Sequence, residues 1–370
     1  MANSLHLSRE VNVYVKFGTK IWEIPVLDGF SFSQATNTAE VTLKEMAGAS
    51  NSNRRARKLF TDSLAPAEWS FSTYARPFTR DVSSADEHHA VEEVLWAMIA
   101  GAEHAEYNDT ANKWTDVIDN AATKATVDFE SSNLLTFPTA TIYFKFPANG
   151  GTDLWYELED ATINECQADF DIDGIATLNW SGMAKQIKEP ASAPTVSTIE
   201  VLDAELINTN NFIRNRLSTL ALTTTAAGNM LAAYSLVLTG GSITITNNVE
   251  YVTPSSLGIV NVPLGHVMGT RSVVGNVTCY LDHNSAASAD LMEDLRLSSD
   301  NETNSFSLKL QVGGANAAPG IEFECPKAHL EIPTHTIEDV IGMEINFHAL
   351  PTSISAADEV KVHYKGITSQ

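Results

Sequence analysis

The chain has 370 residues, a formal net charge of −23, 44% hydrophobic residues and 19% charged residues. This composition is typical of an ordered globular protein of two or three domains and excludes a disordered chain. Both parts of the chain are acidic, with 27 acidic and 14 basic residues up to Lys185 and 19 and 9 after it, which argues against a stable grip on nucleic acid.

The first half of the chain predicts a β-rich module with one helix. Alternating apolar residues predict strands between Val11 and Leu43 and at Trp69–Ala75, separated by a long polar loop over Met46–Pro66. Apolar residues at helical spacing predict an amphipathic helix over His88–Gly101 that covers a sheet. The remaining predicted elements are a helical segment at Trp114–Ile118 and strands at Ala140–Phe146, Leu154–Asn164 and Ile175–Met183.

The second half of the chain predicts a similar module after a linker. The Pro/Ala/Ser-rich run Glu189–Pro194 divides the chain into a first module (1–188), a linker (189–197) and a second module (198–370). A strand at Ser242–Thr246 precedes a long apolar loop over Pro254–Thr270, and a helix contains Leu291 and Leu295. Further strands are predicted at Gly275–Leu281, Phe306–Val312 and Ile321–Cys325, and hairpin turns at the Gly-Gly pairs 150–151, 240–241 and 313–314.

Two strand patterns occur twice. Trp69–Ala75 recurs as Gly275–Leu281, and Ala176–Gly182 recurs as Met343–Ala349. The second match keeps a constant offset of 167 over its neighbourhood, from Ala161 opposite Ala328 onwards. We therefore predict one β-rich module present twice, an arrangement that favours a symmetric assembly over a single enzymatic site.

No pattern in the chain predicts catalysis or metal binding. A calcium loop starting at Asp169 would need a glutamate where Trp180 stands, so Asp169–Gly174 is interpreted as an acidic strand and turn. His88 and His89 are adjacent rather than four apart, and are interpreted with Glu92 and Glu93 as exposed residues at a helix start. Nucleophile-elbow, P-loop and dinucleotide motifs are absent from the sequence. We expect no catalytic, cofactor-binding or metal-binding residues, and no enzyme.

The cysteines and the N-terminus indicate a protein made in a reducing compartment. Cys166, Cys279 and Cys325 occur singly in strand patterns, which predicts small buried thiols rather than disulfides or a zinc site. The N-terminus lacks an apolar signal core, and no run approaches the length of a membrane span. We expect no membrane insertion.

Two loops stand out by composition. Arg54–Lys58 is basic in an acidic chain, and a solvated loop explains it as well as a contact with an acidic patch on a neighbouring copy. Pro254–Thr270 is apolar although long loops are normally polar, which indicates an interaction surface.

The succession Ser242–Asn248, Leu257–Pro263 and the strand with Tyr280 resembles the tube module of major tail tube proteins of long-tailed, siphovirus-type bacteriophages. The first module is similar to a diverged copy, so the resemblance covers most of residues 1–365. It implies a mainly β, β-rich α+β fold: two tandem tail-tube-like sandwich or barrel modules, each with a packed helix, closing into a β-barrel ring on oligomerisation.

The resemblance also implies a structural function without catalysis. Two modules per chain imply trimeric, pseudo-hexameric rings that stack into a tube, with the long loops contacting the adjacent ring. The implied inter-ring residues are Arg54, Arg55, Arg57, Lys58, Leu257, Ile259, Val260, Val262 and Leu264. The polar face shared by both modules is the candidate channel side: Ser70, Ser72, Tyr74, Asn276, Thr278 and Tyr280.

The partners implied are further copies of the chain, a tape measure protein inside the tube, and tail terminator and tail-tip proteins at its ends. Double-stranded DNA would pass transiently and without sequence specificity, in a virion tail assembled in the host bacterial cytoplasm. Two alternatives stay open at this point. One is another β-rich virion protein, such as a tail-tip ring or capsid decoration. The other is a carbohydrate-binding or hydrolytic β-domain that uses Trp22, Trp155 or Trp180.

Overall fold

The computed structural model describes residues 6–41, 58–80, 87–129, 137–148, 151–224, 230–252, 263–297, 306–314 and 318–366. Within these ranges the protein is mainly β, and the predicted fold class is confirmed. Its strands pair into sheets that do not close into a barrel within the described chain.

The strands of the first half are β1 (Asn12–Phe17), β2 (Lys20–Ile24), β3 (Ser31–Val41), β4 (Lys58–Tyr74), β5 (Pro77–Arg80), β6 (Glu87–Ala90), β7 (Tyr107–Asn108), β8 (Lys113–Trp114), β9 (Ile118–Asn120), β10 (Ala125–Asp128), β11 (Ala140–Phe146), β12 (Leu154–Asp171), β13 (Thr177–Ala184) and β14 (Gln186–Lys188). Those of the second half are β15 (Thr219–Thr224), β16 (Ala233–Tyr234), β17 (Leu238–Thr246), β18 (Val249–Val252), β19 (Gly265–Met268), β20 (Ser272–Tyr280), β21 (Phe306–Gly313), β22 (Gly320–Leu330), β23 (Thr334–Thr336), β24 (Gly342–Ala349) and β25 (Lys361–Lys365). The helices are α1 (Glu93–Ala100), α2 (Glu200–Asp203) and α3 (Ser288–Leu297).

One antiparallel sheet runs through both halves of the chain, and we call it the long sheet. Its strand order is β3, β4, β13, β12, β17, β20, β24, and finally the end of β22 followed by β23. The order β3–β4–β13–β12 in the first half thus recurs as β17–β20–β24–β22/β23 in the second. The two sets join where β12 pairs with β17, from Glu165 opposite Thr246 to Asp171 opposite Gly240.

A second layer of strands packs behind the long sheet. In the first half β12 bends out of the long sheet at a bulge near Ile163 and continues beside β11 and β14, with Asp160 at φ 50° in the left-handed region. In the second half β22 continues in the same way beside β21 and β25. Strand β10 from the first half pairs with β25 near the C-terminus, so the two halves share this layer.

The core lies between the layers, and α1 lies within it. Every residue of α1 is buried, and Trp96 meets Trp180 of β13 edge-on with ring centroids 5.0 Å apart. The helix ends at Gly101, whose φ of 92° allows its N–H to bond the Ala97 carbonyl. The predicted helix over His88–Gly101 is therefore shorter and not amphipathic, because the insertion with β9 and β10 covers its outer side.

Three further predictions are corrected by long-range pairing. Trp114–Ile118 is not helical: Trp114 ends β8 and stacks on Trp22 at 5.9 Å, so tertiary packing overrides the local pattern. Gly240 and Gly241 are not a turn but a bulged part of β17. The predicted polar loop is shorter than Met46–Pro66, since residues from Lys58 onwards extend β4 in a ribbon with β3. Residues 42–57 lie outside the described ranges.

The helix containing Leu291 and Leu295 is confirmed as α3, and both residues are buried. The three cysteines are free and buried, as predicted. Among the described helices, none combines the length and apolarity that crossing a membrane requires.

Candidate channel and assembly surfaces

The six candidate channel residues lie on one face of the long sheet, which we call the polar face. In β4 the buried Trp69 and Phe71 alternate with the partly exposed Ser70 and Ser72. The same alternation runs through the neighbouring strands because side chains point to opposite faces with a period of two. On this face Ser70, Ser72 and Tyr74 pair with Ser181, Asn179 and Thr177, and Asn276, Thr278 and Tyr280 pair with Asn346, Glu344 and Gly342.

Hydrogen bonds cross the polar face from strand to strand in the first half. Ser72 Oγ donates to Asn179 Oδ1 at 2.7 Å, and Asn179 Nδ2 donates to Asp169 Oδ2 at 2.8 Å. The side-chain amide of Gln167 donates to the other oxygen of Asp169 at 2.7 Å. The side chains of β4, β13 and β12 therefore form one connected, partly exposed polar layer.

The second half repeats this arrangement with other residue types. Ser242 Oγ donates to Asn276 Oδ1 at 2.9 Å, and Asn276 Nδ2 donates to Glu344 Oε1 at 2.8 Å. Ser31 and Ser70 occupy the equivalent positions in the first half, and their hydroxyls form a hydrogen bond of 2.9 Å. The first strand of each set is thus tied to the second by the same cross-strand contact.

The polar face is acidic. Glu165, Asp169, Glu331 and Glu344 lie on it, and no Lys or Arg occurs in the strand segments Glu68–Tyr74, Glu165–Asp171, Thr177–Met183, Ser242–Thr246, Ser272–Tyr280 and Gly342–His348. Hydrogen bonds from Asn346 and His348 lower the pKa of Glu331. His348 Nε2 lies 3.3 Å from Glu331 Oε1, so Glu331 has a basic neighbour on this face. A surface rich in carboxylates repels polyanions.

The candidate contact loops meet the described chain at one end of the long sheet, which we call the loop end. Of their residues the structure describes Lys58 and Leu264, and the other seven lie outside the described ranges. Lys58 begins β4, and its Nζ lies 4.8 Å from the ring centroid of the exposed Phe60. Leu264 precedes β19, which forms a hairpin with β18, and is 57% exposed. Antiparallel pairing places both residues at the same end of the sheet.

The opposite end of the long sheet, which we call the turn end, carries two exposed turns. The turn between β12 and β13 exposes Ile172 and Ile175, and the turn between β23 and β24 exposes Ile337 and Val340, the former by 83%. The acidic strand and turn predicted at Asp169–Gly174 are confirmed, since β12 ends at Asp171. The sequence did not predict the two turns as a surface, although each turn carries exposed apolar residues beside acidic ones.

A groove of about 460 Å³ adjoins the first of these turns. Its apolar lining comes from Ile175, Phe212, Leu217, Ala318 and Pro319, and its polar lining from Thr209, Asn210 and Arg214. Leu217 is half exposed, and the exposed Asp173 of the turn lies 3.9 Å from the guanidinium of Arg216. The groove therefore has apolar walls, and Asp173, in the adjoining turn, is paired with Arg216.

The cluster of His88, His89, Glu92 and Glu93 is buried, and the prediction that these residues are exposed is wrong. Asn120 Nδ2 donates to Glu93 Oε1 at 3.2 Å, so the insertion that covers α1 also binds its first turn. Burial raises the pKa of Glu92 to about 7, although its carboxylate accepts a bond from the Arg76 N–H at 3.2 Å.

Arg76 fastens the first half to the segment after the linker. Its guanidinium donates to the carbonyls of Glu205, Leu206 and Asn208, the last at 2.7 Å. Burial lowers the pKa of Arg76. These bonds hold α1 and the segment around Asn208 in place, and the guanidinium also packs 5.2 Å from the ring centroid of Phe212. We assign the cluster a structural role.

Among the described residues, Glu322, Glu324 and His363 are placed to converge on a metal ion. Glu324 already accepts from Lys309 Nζ at 2.8 Å and bonds His363 Nε2 at 3.0 Å. Burial lowers the pKa of His363. The ion pairs account for the cluster, which ties β25 to β21 and β22.

The tryptophans considered for carbohydrate binding belong to the core. Trp22, Trp155 and Trp180 are all buried, and Trp180 Nε1 donates to Thr73 Oγ1 at 3.0 Å. Buried rings cannot stack on a sugar. The structure therefore contradicts this use of the three residues.

Comparison with known proteins identifies the family of this chain. The family described as phage tail tube protein matches residues 27–349. The chain is 29% identical to the tail tube protein pb6 of Escherichia phage T5 over 378 aligned positions, which cover 99% of this chain and 76% of that protein. The chain belongs to the phage tail tube protein family, and is thus a structural component of the virion rather than an enzyme.

Proposed function

We propose that three copies of this chain close into a pseudo-hexameric ring, and that the rings stack into a tube around a channel. The long sheet of one chain has two open edges among its described strands, β3 at one side and β23 with the end of β22 at the other. Open edges expose unpaired backbone groups that another chain can satisfy. Closing them between neighbouring chains removes every edge from the ring.

The pairing of β12 with β17 is the observation that carries this proposal. It joins the last strand of one four-strand set to the first strand of the next, over residues Glu165–Asp171. By the constant offset of 167, Gln167 corresponds to Thr334 in β23, and Gln167 pairs with Thr244. Ser31 and Ser242 make equivalent hydrogen bonds to the neighbouring strand. Ser33 and Thr244 each stand two residues later, so Ser33 is the equivalent of Thr244. We therefore infer that Thr334 of one chain faces Ser33 of the next.

The repeated strand order supports two copies of one module, with the boundary at 189–197. The two sets differ by two residues in the register of their inner strands, since Phe71 pairs with Trp180 whereas Val277 pairs with Ile345. A shift of two residues leaves every side chain on its original face. Both modules then present the same polar side to the ring interior.

The polar face is the proposed channel wall. Its carboxylates, and the absence of Lys and Arg from its central strand segments, suit the transient passage of double-stranded DNA and a tape measure protein inside the tube. The apolar face of the sheet is already covered by α1 and the second layer. Tail terminator and tail-tip proteins are the proposed partners at the two ends of a tube assembled in the host bacterial cytoplasm.

Electron microscopy of the purified protein, with two-dimensional averaging of end views, tests the proposal. We expect rings with threefold symmetry and six similar lobes, and side views of stacked rings. A protein that stays monomeric at every concentration and salt tested, or rings of another symmetry, would overturn it.

A further inference from the structure

The loop end and the turn end of the long sheet have complementary charge and apolar character. The loop end is entered by segments whose sequence is basic in the first module, at Arg54–Lys58, and apolar in the second, at Leu257–Leu264. The turn end has one turn beside an apolar groove and another turn that is acidic. A stack of rings in one direction brings loop ends against turn ends.

The turn between β23 and β24 is suited to a basic partner. Glu338 and Asp339 are exposed at its tip between the exposed Ile337 and Val340. No ion pair to either carboxylate is found among the described residues, unlike Asp173 in the other turn. Opposite charges at adjoining surfaces favour association and determine which surfaces meet.

The turn between β12 and β13 is suited to an apolar partner. Ile175 lines the groove of about 460 Å³ together with Phe212, Leu217 and Pro319. Exposed apolar side chains beside a concave surface mark a contact site. The segment Leu257–Leu264 is apolar in sequence, and its last residue, the exposed Leu264, lies at the other end of the sheet.

We propose that the turn end receives the loop end of the next ring crosswise. The turn at Ile337–Ile341 binds the basic segment Arg54–Lys58 of another copy, and the groove at Ile175 binds that ring's apolar segment Leu257–Leu264. This inference rests on the proposed stacking of rings. Beyond stacking, it names the turns that receive the loops, and it places the loop of each module against the turn of the other module.

Charge exchange tests the basic contact. The double variant Glu338→Lys/Asp339→Lys should still form threefold rings, but tube formation, measured by sedimentation and electron microscopy, should fall at least about tenfold. Arg54→Glu/Arg55→Glu should have the same effect, and the combination of all four changes should restore tubes. The matched control Asp116→Lys/Asp119→Lys makes the same charge change at exposed residues away from this end and should leave tubes intact.

Photo-cross-linking tests which loop reaches which turn. A benzophenone side chain at position 340 should capture the peptide containing residues 42–58 of another chain, and one at position 175 should capture the peptide containing 253–264. Capture of the opposite peptides, or normal tubes from the charge-reversed rings, would overturn the inference. Absence of rings in the unmodified protein would instead overturn the proposed function.

Discussion

Two glycines lie under aromatic rings of the adjacent strand, one in each half of the chain. Gly182 faces Trp69 across β13 and β4, and Gly275 faces Phe347 across β20 and β24. A Cβ at Gly182 would lie 2.0 Å from the Thr162 carbonyl oxygen and 2.7 Å from the Trp69 ring. One at Gly275 would lie 2.4 Å from the Ser242 carbonyl oxygen and 2.5 Å from Phe347 Cζ. The rings lie over the sheet only because these positions have no side chain.

We therefore expect Gly182→Ala and Gly275→Ala each to lower the free energy of unfolding by about 1–3 kcal/mol, since overpacked cores must shift. Urea unfolding followed by tryptophan fluorescence measures this. Gly265→Ala is the control, because nothing lies within 4 Å of a Cβ placed there. Equal stability of all three variants would contradict the assigned contacts.

We expect the stability of the protein to depend on pH through Glu92. Burial raises the pKa of Glu92 from its ordinary value of 4.5 to about 7. The folded state then holds the proton more tightly than the unfolded state, so the free energy of unfolding falls as the pH rises between these values. The decline amounts to about 3 kcal/mol at most. We expect Glu92→Gln, which keeps an oxygen to accept from the Arg76 N–H, to remove it.

The measurement compares urea unfolding of the parent protein and of Glu92→Gln at pH 5 and pH 8. The parent should lose more stability than the variant between the two values. Glu338→Gln, at an exposed carboxylate, should follow the parent. Parallel pH profiles for the parent protein and Glu92→Gln would show that this carboxylate does not titrate in that range.

At the scale of elements, the open edge strands make a prediction about the ring joint. The inferred pairing of β23 with β3 of the next chain places Thr334 opposite Ser33, with Cβ atoms about 4.5–5.5 Å apart. The lower end of this range is within reach of a disulfide, which needs about 3.5–4.5 Å. Oxidised rings of Ser33→Cys/Thr334→Cys should give covalent oligomers that end at the trimer on denaturing gels. Each single variant should give none, because the native cysteines are buried. Longer ladders would indicate a larger or open assembly.

At the scale of the whole molecule, the assembled tube should shield the polar face from large reagents. Thr278 lies on that face in β20, whereas Thr219 is exposed in β15 of the second layer. Before assembly, Thr278→Cys and Thr219→Cys should both react with a maleimide on a large polyethylene glycol. In tubes only Thr219→Cys should react. Equal labelling of both in tubes would mean that the polar face does not line the channel.

The sequence by itself determined the properties that depend on local periodicity. The alternation in Trp69–Ala75 and Gly275–Leu281 predicted which side chains of β4 and β20 are buried, and the structure confirms it. The apolar spacing around Leu291 predicted α3. Such patterns are readable because a strand with one covered face must alternate and a covered helix must repeat about every 3.6 residues. The likeness to tail tube proteins rested on the same succession of elements.

Only the tertiary structure decided what depends on contacts between distant residues. The insertion at β9 and β10 buries His88–Glu93, which their local pattern placed in water. The joint between β12 and β17 and the shared pairing of β10 with β25 connect segments that local patterns treat as separate. The proposal that the turn end meets the loop end also needed the strand directions, which place Ile337 and Leu264 at opposite ends of the long sheet. Burial and strand order depend on the whole chain, whereas periodicity depends on neighbouring residues alone.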